Sequence, residues 1–193
     1  MANDLQRIDW KVQVGTPEKY SVDPILTVFE RWRQETDAPE DWVDLADYAH
    51  MERGPKVMMA GKRDHFSLDT NVPGPGLLLQ TRKGLAGSVE ERFVEAMKRH
   101  LTLSVRLTGE EEWPANLEPQ GGQWSVAIND RLGFPNDDAT ETALKSGLIA
   151  TLDRIFGKDG YTLRRDEDPQ RRYGYTIQAK TARSLAEILG GIS

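Results

Sequence analysis

At 193 residues, with 38% apolar and 29% charged residues and five each of Trp, Tyr and Phe, the chain has the material for one folded core and lacks a disordered composition. Its 25 basic and 31 acidic residues leave a net charge of −6, which opposes unspecific attraction to nucleic acid or to an anionic membrane. The absence of cysteine excludes thiol nucleophiles, disulfides, iron–sulfur ligation and thiolate zinc sites.

Asp9-Trp-Lys-Val-Gln-Val14 alternates apolar and polar residues and predicts a half-buried strand with Trp10, Val12 and Val14 on one side. Residues 15–20 turn the chain. Asp23-Pro24 then marks a helix start, with Asp23 as cap and Pro in the first turn. The helical spacing of Ile25, Leu26, Phe29 and Trp32 carries the helix to about Glu35, before a loop at Pro39. Trp42 to His50 is ambiguous in period, but its length and the following Gly54-Pro55 favour a strand over a helix. Lys56–Ala60, Phe66–Thr70 and Leu77–Thr81 read as further strands, the last central because it is apolar on both faces. The expectation is an antiparallel meander.

Ser88-Val-Glu-Glu91 is a capping box. With Phe93, Met97, Leu101 and Val105 at i, i+4 spacing, it predicts a long helix to about Leu107, although Leu101–Leu107 also alternates as a strand would. Residues 109–122, with two prolines and Gly121-Gly122, read as a loop or linker. Trp124–Ile128 is another alternating strand, and 129–136 a turn. Asp138-Ala-Thr-Glu141 again has the form of a capping box, opening a helix with Leu144, Leu148, Leu152, Ile155 and Phe156 as its buried stripe and Gly157 as its end. Tyr161–Arg165 and Arg172–Ala179 form a hairpin around Asp166-Glu-Asp-Pro169, and Ser184 starts a short last helix.

These elements amount to an α+β fold, a mostly antiparallel sheet with about four helices. Residues 1–193 read as one domain, with a subdivision into 1–109 and 122–193 as the alternative. The two parts share an order of elements, and the interval from Trp10 to Trp124 equals that from Asp23 to Asp137. The match fades beyond that, so two similar strand-helix-hairpin-helix halves stay an open alternative.

The densest polar stretch is Trp42 to His50, which holds Asp44, Asp47, Tyr48 and His50 in an apolar run. As a strand it puts Asp44, Tyr48 and His50 on one face and Asp47 on the other, with Asp44 and His50 roughly 20 Å apart. As a helix it would align Asp44, Asp47 and His50 as three ligands for a cation. The simpler reading is a set of hydrogen-bonded groups at a sheet edge. Asn129-Asp130-Arg131 follows a strand, where loops carry polar groups toward ligands. Arg131 suits a carboxylate or phosphate, while an Asx turn is the plainer role for Asn129 or Asp130. Arg164-Arg165 and Arg171-Arg172 flank three acids and suggest a solvated cross-strand network or a partner-docking arm. His65 and His100 have no second ligand at a recognisable spacing and read as surface or boundary residues. Phosphate-loop, nucleophile-elbow and His-Glu-x-x-His motifs are absent from the sequence, as are the aromatic and basic runs of an RNA-binding sheet.

Phe29-Glu-Arg-Trp-Arg-Gln34, Val43–His50 with Gly54-Pro55, and Asn129-Asp-Arg-Leu132 with Pro135-Asn136 together resemble an uncharacterised family of bacterial proteins of similar length. The likeness runs from about Val12 to Phe156, with Glu30 and Lys56 as departures from the pattern. It implies bacterial origin and one evolutionary unit; the family has no assigned activity, so no functional residue carries over.

The residues favour a noncatalytic accessory or protein-interaction module, a subunit or adaptor of a larger assembly, over an enzyme. The alternative is a small ligand- or metal-dependent enzyme or sensor using Asp44, Asp47, His50, Asp130 and Arg131. The expected partner is a protein, with no nucleic acid, no membrane insertion, no cofactor and no resident metal. The polar start Met1–Arg7 has no signal-peptide character, and no run is long enough to span a bilayer, so a cytoplasmic location is expected. The oligomeric state stays open.

Overall fold

Alternation along β1 (Ile8–Gly15) sets the plan of the molecule: Ile8, Trp10, Val12 and Val14 are buried against helices, and the residues between them face the other side of the sheet. The structure, a computed structural model, describes residues 4–15, 21–35 and 41–192. The turn expected at 15–20, after Gly15, and the loop at Pro39 lie outside these residues. β1 is followed by α1 (Asp23–Arg33), then by the strands β2 (Trp42–Asp47), β3 (Pro55–Gly61), β4 (Asp64–Asp69) and β5 (Gly76–Thr81). Next come α2 (Val89–Thr108), β6 (Glu118–Ile128), α3 (Asp138–Phe156), β7 (Tyr161–Arg165), β8 (Gly174–Ala179) and α4 (Leu185–Gly191).

The strands form one eight-stranded sheet in the order β2-β3-β4-β5-β1-β6-β8-β7, and every pairing is antiparallel. Among the described residues the fold is therefore α+β, with an antiparallel sheet and four helices. The meander expected from β2 to β5 is present. β1 then fills the place beside β5 and pairs with β6 on its other side, Trp10 opposite Val126, so the sheet runs through the point where a subdivision was considered.

All four helices lie toward one face. α2 crosses β1 and β5, α1 covers β2 and β3, and α3 and α4 pack on α2. α2 begins with the expected capping box, the Ser88 amide donating to Glu91 Oε2 at 2.7 Å and the Glu91 amide to Ser88 Oγ at 3.2 Å. Its buried side includes Phe93, Met97, His100, Leu101 and Leu107. The helix runs on through Thr108, because a stripe at i, i+4 outweighs the short alternation at its end. Trp10 meets Phe93 edge-on at 6.3 Å, and truncating such a side chain to Ala costs roughly 3–5 kcal/mol.

Three local expectations change. The cap position of α1 is Val22, with no side-chain cap bond, because the Asp23 carboxylate accepts the Ser21 hydroxyl at 2.8 Å instead. Asp23 still favours the first turn through the helix dipole. α3 is capped by Asp137, which accepts the Thr140 amide at 2.8 Å, and not by a box at Asp138–Glu141. Glu141 instead accepts the hydroxyls of the buried Tyr173 and Tyr175 at 3.1 and 2.5 Å. Finally, 118–122 are strand and not loop. Gly121 lies there because the Arg183 carbonyl packs upon it: an added Cβ would stand 1.9 Å from that oxygen. Glycine serves close approach here, which its turn-forming habit hides in the sequence. Among the described residues no helix is long and apolar enough to cross a membrane.

Candidate functional site

The sheet face away from the helices carries the unusual chemistry. Lys11 and Asp69 are both buried there, with Lys11 Nζ 2.7 Å from Asp69 Oδ1. Lys11 also donates to the Asn71 carbonyl at 2.8 Å, and the Asn71 amide and side chain donate to Asp69 at 3.0 Å each. The lysine stem lies across Gly76, where an added Cβ would be 2.9 Å from Lys11 Cε and 2.3 Å from the Val12 carbonyl. Desolvation lowers the Lys11 pKa from the usual lysine range, and the bond and charge of Asp69 counter it.

Asp9, two residues earlier on the same face, is 4% exposed. Its Oδ2 accepts from Arg172 at 2.5 Å, from Gln80 at 3.1 Å and from Asn129 at 3.2 Å, and its Oδ1 is buried with no partner among the described residues. Burial pushes its pKa up to about 6; the Arg172 charge and the three hydrogen bonds work against that rise. Asp9, Lys11, Asp69, Gln80 and Ser67 line a chamber of about 160 Å³.

Asn71, Val72, Ser125, Ala127 and Arg172 are shared between this chamber and a larger cleft of about 1240 Å³. The floor is recessed because the residues on this face of β6 and β8 are small: Ser125 lies opposite Thr176, and Ala127 opposite Gly174. One wall is the 71–73 segment and the other is 163–172. Asn136 holds the second wall, donating to the carbonyls of Asp166 and Asp168 at 2.7 and 3.0 Å.

Five arginines, 131, 164, 165, 171 and 172, border the cleft against two carboxylates, Asp166 and Glu167. Three have committed charges. Arg165 pairs with Asp138 and Glu141 at 3.3 and 3.6 Å, Arg171 with Asp166 and Asp168 at 3.2 and 3.7 Å, and Arg172 with Asp9. Arg131 and Arg164 are exposed, and among the described residues neither guanidinium has a hydrogen bond or ion pair. Two unpaired guanidiniums over a concave, small-residue floor can take carboxylate or phosphate oxygens in bidentate fashion.

The sequence candidates separate. Asp44, Asp47, Tyr48 and His50 belong to or follow β2, an edge strand, and all four are exposed. Asp47 accepts the Ala49 amide at 2.8 Å and Asp44 the Leu45 amide at 2.9 Å. Because the segment is a strand, the helical row of Asp44, Asp47 and His50 does not form. Asn129, Asp130 and Arg131 follow β6, five strand positions away, about 24 Å along the sheet, so the two groups do not converge. Asp130 closes a turn, its Oδ1 accepting the Gly133 amide at 2.9 Å, while Asn129 reaches Asp9 and Arg131 borders the cleft. Among the described residues no three His, Asp or Glu side chains gather as a metal site.

His100 is a correction. It is fully buried and not a boundary residue, lying between Phe66 and Trp124 with centroids at 6.3 and 5.4 Å and its Nε2 2.8 Å from the Leu77 carbonyl. Desolvation pushes its pKa down to about 4, so the ring is neutral and Nε2 donates. The signal was present: His100 falls at i+4 from Ala96 and i+3 from Met97, inside the apolar stripe. Asp9, Lys11 and Asp69 were not candidates from sequence, because each occupies an ordinary polar position of a strand, and Arg172 was read only as part of a charged hairpin arm.

The chain matches no protein-family model and no curated protein, so the resemblance noted above rests on its motifs alone.

Proposed function

We propose that this protein is a noncatalytic interaction module that holds an acidic segment of a partner protein in the arginine-lined cleft, as a subunit or adaptor of a larger assembly. One observation carries the reading: in a chain of net charge −6, the cleft is bordered by five arginines, and Arg131 and Arg164 stand without a partner among the described residues. Charge complementarity of this kind steers an acidic segment in and fixes its register. A polynucleotide is the poorer fit. Its bases need exposed aromatic platforms, whereas Tyr173 and Tyr175 are buried beside α3 and the floor is Ser, Ala, Gly and Thr. The net negative charge also opposes a long polyanion.

The test is fluorescence anisotropy of a labelled Glu/Ser peptide against the full chain, beside a Lys/Ser peptide and a single-stranded oligonucleotide. The acidic peptide should bind with marked salt dependence, and the double variant Arg131→Glu/Arg164→Glu should weaken it by about tenfold or more. Arg33→Glu, a change on α1 at the helix side, should leave it unaltered. Equal binding by the double variant, or a preference for the oligonucleotide, would overturn the reading.

A further inference from the structure

We propose that the Asp9–Arg172 ion pair is a proton-operated latch on the cleft: ionised Asp9 draws Arg172 down to the sheet, and proton uptake by Asp9 releases that guanidinium to the acidic segment. The inference rests on the acidic-segment reading above and assigns a regulation to the same site.

The geometry supplies both states. Arg172 borders the cleft and the chamber beneath it, so the same side chain reaches either a ligand above or Asp9 below. Its side chain is 42% exposed, whereas that of Asp9 is 5% exposed; the cation is free to swing and the carboxylate is not. Asp9 is also poorly provided for as an anion. Three donors converge on Oδ2, while Oδ1 is buried without a partner among the described residues, an arrangement that costs the charged form more than the neutral one. A neutral carboxyl needs no guanidinium, and the Arg172 head then becomes a third free arginine beside Arg131 and Arg164.

Asp9 is faced by amide side chains and by cations, most of which are already paired. From β5 it faces Gln80, from the end of β6 Asn129, and from the 166–173 turn Arg172. Along β1 its neighbours are Arg7, exposed and bonded through its carbonyl to the Asn129 amide at 2.9 Å, and Lys11, committed to Asp69. On β4, His65 lies opposite Gln80 and within 2.7 Å of Arg82; burial and that arginine lower its pKa. The Asp9 pKa, pushed up to about 6, puts the change in mild acid.

The test is the affinity of the Glu/Ser peptide at constant ionic strength between about pH 5 and pH 7.5, a range in which glutamates with a pKa near 4.3 stay mostly ionised. The native chain should bind about 5- to 10-fold tighter at the acid end, as one more charge-assisted contact would give. Asp9→Asn should bind tightly at both ends, and Arg172→Gln weakly at both. By linkage, binding near neutral pH must take up a proton, which calorimetry in buffers of different ionisation enthalpy reads directly. Equal native affinity across the range, with no proton uptake, overturns the latch and leaves the acidic-segment reading standing. No binding by the native chain at any pH overturns both.

Discussion

The two faces of the sheet treat buried polar groups in opposite ways. Under the helices, His100 is neutral, enclosed by Phe66 and Trp124, and makes one bond to a carbonyl. On the open face, Lys11, Asp69 and Asp9 are buried with complementary charges at 2.5–2.7 Å, although no helix among the described residues covers them. The first face lowers the cost of a polar group by discharging it; the second pairs it with an opposite charge. A core that excludes water can be built either way, but only the paired version leaves charge near the surface for a ligand to compete for.

The largest effect is expected where a paired charge is stranded. Lys11→Met should lower stability by roughly 3–5 kcal/mol, since Asp69 then stays buried without its cation. Lys11→Met/Asp69→Asn should recover most of that loss, because Asn keeps the volume and part of the bonding to Asn71. Urea unfolding of both singles and the double closes the cycle. Additivity within about 0.5 kcal/mol would mean that the pair is not coupled and that the open face is held by packing alone.

How much of this was legible in the sequence divides along the same line. Alternation placed Trp10, Val12 and Val14 on the covered side of β1, and the capping box placed α2, because both are local patterns with a fixed period. The same alternation marked Asp9 and Lys11 only as facing away from the core; a period gives the side of a strand and not whether loops cover that side. The partners that bury and bond Asp9 are 71, 120 and 163 residues away, beyond any spacing rule. Conversely, Asp44, Asp47, Tyr48 and His50 are dense in sequence but lie on an exposed edge strand and in the turn that follows it, where an extended chain separates the two carboxylates. Arg131 and the 164–172 arginines were visible as charged turn residues. Their meeting across one cleft depends on β8 lying between β6 and β7, which the sequence does not encode locally.

The faces should also respond to acid with opposite signs. His100 is a base whose folded pKa, about 4, lies below the ordinary value of 6.5. Its contribution is complete above 6.5 and is lost as pH falls toward 4, for roughly 3 kcal/mol in all. Asp9 is an acid whose folded pKa, about 6, lies above its ordinary 3.8, so acidification through the same range adds stability. The native curve should be shallow between about pH 6.5 and 4.5, where the two slopes oppose each other. His100→Gln, which keeps a donor for the Leu77 carbonyl, should grow more stable relative to the native chain as the pH falls. Asp9→Asn should grow less stable relative to it. Urea unfolding across that range measures both differences, and parallel curves for the two variants would erase the contrast.

The smallest effect belongs to the arginines whose guanidiniums have no partner among the described residues. Arg131→Ala and Arg164→Ala should each shift stability by no more than about 0.5 kcal/mol, because both side chains are exposed and neither gives up a hydrogen bond or ion pair among the described residues. The sign should be slightly favourable at low salt. Five guanidiniums border the same cleft against two carboxylates, so removing one relieves like-charge repulsion, and the gain should vanish as salt screens it. Thermal unfolding at low and high ionic strength checks both points. A loss above about 1 kcal/mol, outside the range expected of an unpaired surface residue, would show that these arginines brace the β6–β7–β8 end of the sheet. They would then be holding the fold, and the cleft would lose the free charge that makes it a docking surface.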